Sequence, residues 1–143
     1  MESTQKGDIE TLVSVRPYKL EDKAFVIATW LRGYYYGEKA IGEIDKAAFM
    51  EAYNKRLNSL IDTNRMNIQV VCLKDDPEVI LAYAALNHEN TIIHWVFSKA
   101  AWRKVGLAKR LIPVTIDTVT HLTQIGRSIL KKHGNIKYNP FLL

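Results

Sequence analysis

Three strand-like runs separated by short polar turns constrain the fold of this chain more than any other feature. The runs cover residues 67–73, 79–86 and 91–97, and all are rich in Val, Ile and aromatic residues. The segments KDDP and NHEN that separate them hold only a few turn-forming residues. Connections this short join antiparallel neighbours. The sequence therefore predicts an antiparallel sheet in the middle of the chain.

Helices are expected before these strands. A short strand over residues 12–15 should end near Pro17, because proline supplies no ladder donor. Residues 21–32 carry apolar side chains at helical spacing, with Gly33 as a C-terminal stop, and residues 34–43 hold three tyrosines and two glycines and predict a loop. Asp45 is a good cap for a second amphipathic helix over residues 46–61.

The last third predicts a change in strand direction. The segment 102–111, WRKVGLAKRL, leads into a predicted helix that Pro113 should end or kink near Ile112. A strand over 119–123, a helix over 125–133 and a final strand or extended tail over 136–143 follow. Segment 102–111 and its helix lie between the strand over 91–97 and the strand over 119–123, and this strand–helix–strand succession predicts a parallel pair with a right-handed crossover. The fold class is therefore α+β, with a mixed, mainly antiparallel sheet.

Size and composition suit one domain. The 143 residues predict a single domain over 12–143, preceded by a flexible tail over 1–11. No run approaches the roughly 18 apolar residues of a membrane span, and the N terminus does not resemble a secretion signal. The single cysteine, Cys72, suits a reducing compartment. We therefore expect a cytoplasmic protein.

Positive charge is concentrated in the last third. Residues 1–98 hold 11 Lys and Arg against 14 Asp and Glu, whereas residues 99–143 hold nine basic residues against Asp117 alone. Such a field attracts a polyanion. A phosphate-rich small molecule and a nucleic acid both meet this description.

The segment 102–111 has the residue types that a diphosphate site requires. Such a site needs converging backbone N–H groups and a glycine where the chain approaches closely. Gly106 permits unusual dihedral angles, Ala108 is small, and Arg103 and Lys104 add positive charge. The same basic residues also suit the solvated face of a helix. The segment by itself leaves both interpretations open.

With these motifs the chain resembles the GNAT superfamily of N-acyltransferases. Arg103, Gly106 and Ala108 occupy the three fixed places of the family signature Q/R-x-x-G-x-G/A. The opening Val-Arg-Pro at 15–17, Asp22 at a helix start, and the order of elements over residues 12–143 also match. The ending is similar to that of small phage-encoded acetyltransferase-like proteins.

The resemblance implies a fold and a co-substrate. It implies a sheet flanked by about four helices, with acetyl-CoA bound where a parallel strand pair splays apart. The pantetheine arm would bond to the backbone of the strand before the signature, and the diphosphate would lie on the signature loop. These segments supply the expected acetyl-CoA-binding residues: Val96, Phe97, Ser98, Arg103, Lys104, Val105, Gly106, Leu107, Ala108 and Lys109.

The resemblance also implies direct attack of an amine on the thioester, which needs a base. Family members often place a carboxylate on the strand before the signature, but residues 91–97 contain no acid. His94, on the face of Ile92 and Val96 by period-two counting, is the candidate base, and Glu89 could act through water. A histidine packed within the sheet remains the alternative.

The family's usual acid is missing. A tyrosine commonly lies four residues before the glycine that ends the penultimate helix, and Leu130 occupies that place here. Tyr138 is the candidate substitute for protonating the departing thiolate, although ordinary packing also explains it. His121 could face the acyl group or be structural.

Partners follow from the same reasoning. The tyrosines and Glu38 of segment 33–38, with Glu43 nearby, suit a cationic amine on a small molecule, peptide or protein lysine, although packing explains them equally well. The four histidines lack metal-ligand spacing, so we expect no metal. A GNAT-fold protein that binds CoA or a macromolecular partner without turnover is the alternative function. A nucleic acid is less favoured, no membrane is expected, and a homodimer is compatible with the sequence.

Overall fold

A six-stranded sheet organises the chain. The computed structural model describes residues 9–132 and 134–143, apart from the side chains of Lys104, Gln124 and Ile125. The strands are β1 (Val13–Pro17), β2 (Asn67–Leu73), β3 (Ile80–Leu86), β4 (Ile92–Ser98), β5 (Thr118–Val119) and β6 (Lys137–Tyr138). The α-helices labelled here are α1 (Lys23–Gly37), α2 (Lys39–Gly42), α3 (Lys46–Asp62) and α4 (Gln124–Lys132). Short 3₁₀ segments cover Leu20–Asp22, Ala100–Val105, Ala108–Leu111 and Pro140–Leu142.

Strand order follows chain order, and direction changes once. The sheet runs β1-β2-β3-β4-β5-β6. The first four strands are antiparallel neighbours, while β5 pairs parallel with both β4 and β6. The mainly antiparallel α+β sheet with a late parallel pair is therefore confirmed.

Alternating strand residues place one core on each face of the sheet. On one face Val70, Tyr83 and Trp95 pack with Val26 and Trp30 of α1 and with residues of α3. On the other face lie Val71, Leu81, Ala84 and Val96, with Leu107 and Leu111 from the segment that follows β4. Strand β3 is buried along its whole length, as expected for the centre of a three-layer domain.

A buried ion pair joins β1 to the start of α1. Arg16 Nη1 and Nη2 donate to the two carboxylate oxygens of Asp22 at 2.7 and 2.8 Å, and Asp22 also accepts from the Lys19 N–H at 2.9 Å. Burial alone would raise the pKa of Asp22, but these hydrogen bonds and the guanidinium charge hold it below its ordinary value. The predicted helix start at Asp22 is thus held by a strand residue.

The predicted loop over 34–43 is wrong. Helix α1 continues to Gly37, and α2 covers Lys39–Gly42. The rings of Tyr34 and Tyr35 lie 5.8 and 5.3 Å from that of Phe49 on α3, so packing overrides the turn preference of the glycines. The backbone leaves helical geometry only at Glu38, with φ −127° and ψ 120°.

The segment after β4 also differs from expectation. The residues that follow the signature form only the four-residue 3₁₀ segment Ala108–Leu111 instead of an α-helix. The chain is extended at Ile112, and residues 114–115 form a turn before β5, as Pro113 predicted. The strand expected over 119–123 is shortened to Thr118–Val119.

The described chain begins with a short helical segment. Residues 1–8 of the predicted tail lie outside the described residues, but residues 9–12 are helical and Ile9 is buried in the second core. Among the helices of the described chain, none is long and apolar enough to cross a membrane.

The buried ion pair gives a stability prediction. Asp22→Ala should lower the free energy of unfolding by about 3 kcal/mol, because it leaves the Arg16 guanidinium without its counter-charge. Asp62→Ala, which breaks the more exposed pair with Lys23, should cost under about 1 kcal/mol. Urea denaturation followed by circular dichroism measures both. Equal losses in the two variants would show that the Asp22 pair has no special role.

Candidate functional site

Strands β4 and β5 separate soon after they meet. They pair only at Ile92 with Thr118 and at Ile93 with Val119, followed by one hydrogen bond from the Thr120 N–H to the Ile93 carbonyl at 3.1 Å. Strand β4 continues to Ser98, whereas the chain after β5 turns into α4. A cleft therefore opens along the second half of β4, on the side that β5 leaves uncovered.

A β-bulge at His94 accompanies this divergence. Leu86 of β3 pairs with Ile93, and Ala85 pairs with Trp95, so His94 is the extra residue. The bulge breaks the period-two pattern, and Val96 shares its core cluster with Ile93. The sequence-based placement of Val96 on the face of Ile92 is wrong for this reason.

The cleft contains a small cavity. Its walls come from β4, from the end of β5 and from the start of α4: Ile93, His94, Trp95, Val96, Val119, His121, Thr123, Gly126 and Ile129. Gly126 brings α4 unusually close, since a Cβ atom there would lie 2.1 Å from the His121 carbonyl oxygen. Only glycine fits this approach without movement of the backbone.

The free edge of β4 carries backbone groups directed into the cleft. The Lys99 N–H donates to the Leu81 carbonyl at 2.9 Å, so Val96 and Ser98 fall at the alternate, non-hydrogen-bonded pairs of the antiparallel ladder. Their N–H and C=O groups point away from β3. Arg103 Nε donates to the Ser98 carbonyl at 3.2 Å. The predicted pantetheine-binding strand thus has an edge to which an extended chain can bond.

A chain of hydrogen bonds links the bulge to α3. His94 Nδ1 lies 3.3 Å from Thr120 Oγ1, which lies 2.9 Å from His121 Nδ1. His121 Nε2 in turn lies 2.9 Å from the Tyr53 hydroxyl. Four side chains from β4, the end of β5 and α3 therefore form one continuous polar path through an apolar interior.

Both histidines of this path are uncharged at neutral pH. Burial lowers the pKa of His94 to about 4 and that of His121 to about 3, with a smaller lowering of the latter by His94. Neither imidazole has a carboxylate partner among the described side chains. His94 can accept a proton only against this desolvation.

Aromatic rings enclose His121. Ring centroids lie 4.6 Å away for Tyr34, 5.4 Å for Trp95, 5.9 Å for Trp30 and 6.5 Å for Tyr53, all in edge-to-face geometry. Trp30 and Trp95 stack on each other at 5.5 Å. This cage closes the cleft on the side of α1 and α3 and accounts for the low polarity around the imidazole.

The signature loop turns tightly at its glycine. The 3₁₀ segment Ala100–Val105 ends at Gly106, whose φ of 72° and ψ of 28° lie in the left-handed region that favours glycine. Leu107 anchors the turn in the second core, 1% exposed. Ala108 packs against the same core, while Arg103 and Lys109 are exposed. The predicted side-chain role of Lys104 lies outside the described residues.

The remaining predicted residues lie at different distances from the cleft. Phe97 lies on the face of the sheet that packs against α1 and α3, where its ring stacks on that of Tyr83 with 5.4 Å between the ring centroids. Glu89 is exposed in the turn before β4, five residues ahead of His94 and at the end of β4 away from the cleft. Tyr138 pairs in register with Val119, which lines the cavity. Leu130 packs partly against the second core.

Sequence reasoning missed the residues that orient His94. No local pattern selects Thr120, and Tyr53 falls only within the amphipathic helix predicted over residues 46–61. The adjacent polar residues Thr120 and His121 at the end of a predicted strand could have indicated a site. No local sequence pattern, however, connects them to α3. Among the described residues no cluster of three or more His, Cys, Asp or Glu side chains could hold a metal ion.

The polar path gives a pH prediction. Both histidines have folded pKa values below the ordinary value near 6.5, so the unfolded chain binds protons first as the pH falls. The contribution of the two neutral histidines to stability should be fully present above about pH 6.5. As the pH is lowered from 7 to 5, the free energy of unfolding should fall by about 2 kcal/mol or more. Thermal unfolding across this range measures the slope. His121→Gln should make stability less dependent on pH. His88→Gln, in the exposed β3–β4 turn, is the control. An equal loss of pH dependence in both variants would contradict the assignment of this dependence to the buried histidines.

Comparisons with known proteins identify the fold. No protein-family model matches the chain, and no curated protein sequence matches it. A predicted acetyltransferase with acetyl-CoA from Clostridium acetobutylicum has a TM-score of 0.58 and 16% identity, covering 86% of this chain and 89% of that one. A possible acetyltransferase from Clostridium difficile 630 has a TM-score of 0.50 and 16% identity, covering 90% and 79%.

A third solved structure is only partly covered. The GCN5-related N-acetyltransferase from Rhodopseudomonas palustris has a TM-score of 0.49 and 16% identity, and the match spans 71% of this chain and 61% of that one. At such identities the likeness concerns the fold alone. The mixed sheet with its late parallel pair and the match to the Clostridium acetobutylicum structure confirm the GNAT-like fold expected from the sequence.

Proposed function

We propose that this chain, which has the GNAT fold, transfers an acetyl group from acetyl-CoA to a primary amine. The observation that carries the proposal is the cleft between β4 and β5, which opens at His94, together with the Gly106 loop that follows β4 and is joined to its end by the Arg103–Ser98 hydrogen bond. An open strand edge beside a glycine turn and a basic loop suits a ligand whose extended arm is joined to a diphosphate. Acetyl-CoA is such a ligand.

Each part of the cleft then has a role. Of the expected strand residues Val96, Phe97 and Ser98, the backbone groups of Val96 and Ser98 would bond the pantetheine arm as an added strand, while those of Phe97 bond to β3. The loop from Arg103 through Lys104, Val105, Gly106, Leu107 and Ala108 to Lys109 would hold the diphosphate, with its exposed basic side chains adding charge. Leu107 contributes by fixing the turn in the core. Its own side chain is buried away from solvent.

The transfer reaction requires two proton transfers, one from the amine and one to the departing thiolate. The amine nitrogen attacks the thioester carbonyl, the carbon–sulfur bond breaks, and the CoA thiolate departs with the bonding electrons. His94 is the candidate acceptor of the amine proton. Tyr138 is the candidate donor to the thiolate, since it lies beside Val119 at the cleft wall. Glu89 is too far along β4 to act without intervening waters.

Thr120 and His121 position the proposed base. If His94 donates from Nδ1 to Thr120, its Nε2 keeps a lone pair for the incoming proton. Thr120 can then donate to His121 Nδ1, and His121 can donate from Nε2 to Tyr53. All the hydrogen bonds from α3 to the cleft can therefore form with one consistent set of donors and acceptors. In this arrangement Tyr53 and Thr120 select the His94 tautomer.

The co-substrate assignment predicts a binding defect. Gly106→Glu should weaken acetyl-CoA binding by at least about tenfold, because it strains a left-handed turn and places negative charge beside the diphosphate. Isothermal titration calorimetry measures the Kd. Gly134→Glu, which adds the same charge in open space, is the matched control. Unchanged binding by Gly106→Glu would remove the assignment of the loop.

The proposed base predicts a catalytic defect. His94→Ala should lower kcat/KM about 100-fold with little change in the Kd for acetyl-CoA. Thr120→Val should lower kcat by a smaller factor, and Thr120→Ser should restore it because the hydroxyl returns. Amine-dependent thiol release measures the rates. Full turnover by His94→Ala would make the histidine structural.

The same assay distinguishes acetyl transfer from the alternative function, CoA binding without turnover. A protein that binds acetyl-CoA and releases no thiol above background with any amine is a CoA-binding module. The depressed pKa of His94 is the observation that favours this second candidate.

A further inference from the structure

Helix α4 begins against the wall of the cleft. Thr123 caps it, because its carbonyl accepts from the Arg127 N–H at 2.8 Å and its Oγ1 accepts from the Gly126 N–H at 3.3 Å. At Gly126 a Cβ atom would overlap the His121 carbonyl oxygen. The cap and this close approach together fix the start of the helix relative to the end of β5.

One turn further along α4, Ile129 reaches the same cleft. It follows Gly126 by three positions and therefore lies on the same helical face. Its side chain lines the small cavity between β4, the end of β5 and α4, and it also packs partly against the second core. Leu130 packs against that core as well, but it is not among the described residues that line the cavity.

The distance of Ile129 from the sheet depends on the glycine one turn before it. A side chain at position 126 would push the start of α4 away from the His121 carbonyl and would widen the cavity. With glycine there, the helix approaches the sheet closely, and the next side chain on that face fills the space. This pair of residues thus combines close approach with apolar bulk.

The cavity is small, and its walls have little freedom to move. Its volume is about 10 Å³, the space of one water-sized group. On the sheet side Ile93, Trp95 and Val119 are buried, and the Trp95 ring stacks on that of Trp30. On the helix side Ile129 is β-branched, so its χ1 angle is restricted within a helix. It cannot turn aside without movement of α4.

We propose that Ile129 sets the length of the acyl group, so that acetyl is accepted and propionyl and longer groups are excluded. The proposal rests on the proposed acetyl transfer, in which the thioester lies beside His94 and its acyl carbons extend into the cavity that His94 lines. Acetyl ends in a single methyl group. Every longer chain places at least one more carbon in space that Ile129 occupies, and a closely packed wall does not accept an added methylene without strain.

Titration of the wild-type protein tests the size limit without any substitution. Isothermal titration calorimetry with acetyl-CoA, propionyl-CoA and butyryl-CoA gives their Kd values. The two longer acyl-CoAs should bind at least about tenfold more weakly than acetyl-CoA, the lower end of the discrimination that one methylene causes in a fitted apolar pocket. Equal Kd values for all of them would overturn the proposal, even if no variant folded.

Substitutions at position 129 test the assignment of the limit to this side chain. Ile129→Ala should open the cavity, so that butyryl-CoA binds about as tightly as acetyl-CoA. Ile129→Val removes only one methyl group and disturbs the core less, and it should admit propionyl-CoA while still excluding butyryl-CoA.

A neighbouring substitution controls for the loss of apolar volume. Leu130→Ala removes a similar volume from the same helix and the same core, and it should keep the wild-type preference for acetyl-CoA. An unchanged preference in both Ile129 variants, or an equal loss of preference in Leu130→Ala, would overturn the proposal.

Thiol release from the same acyl-CoAs separates the size limit from acetyl transfer. With a panel of primary amines from n-butylamine to a lysine-containing peptide, kcat/KM should be about 10- to 200-fold higher for acetyl-CoA than for propionyl-CoA. A length-dependent Kd in a protein that releases no thiol would refute acetyl transfer and leave the limit at Ile129 standing. Equal turnover of acetyl-CoA and butyryl-CoA by the wild type would do the reverse. Failure of every acyl-CoA to bind would overturn both.

Discussion

The separation of β4 from β5 is the constraint on which the rest of the site depends. Two residue pairs hold the parallel strands together, and the bulged His94 ends their pairing. A continuous ladder would have used the backbone groups of Val96 and Ser98 within the sheet. Because the ladder stops, those groups face a cleft, and the following chain can place Thr120 and His121 against the bulge.

The cleft lies between a basic segment and a set of aromatic rings. The last third of the chain carries an excess of basic residues, and the turn at Gly106 brings part of that charge to the end of β4. The helical side supplies aromatic rings. The proposed binding of a phosphate-rich molecule depends on the positive charge at the end of β4.

Several features of the cleft oppose stability. Two neutral histidines are buried. A Cβ on Gly33 would meet Trp95 at 2.7 Å, so α1 also approaches the cleft as closely as glycine allows. Such costs persist where binding or catalysis needs them, and the two core clusters supply the compensating burial.

The sequence by itself determined the antiparallel centre, the late parallel pair and the break at Pro113. These follow from local patterns: apolar periodicity, short turns and the missing donor of proline. It also identified Gly106, because a left-handed turn depends on one residue type. Only the tertiary structure decided that 34–43 is largely helical, that a bulge displaces His94, and that hydrogen bonds link His94 through Thr120 and His121 to Tyr53. Those contacts join residues far apart in the chain, and their energies come from packing and desolvation, which no local pattern encodes.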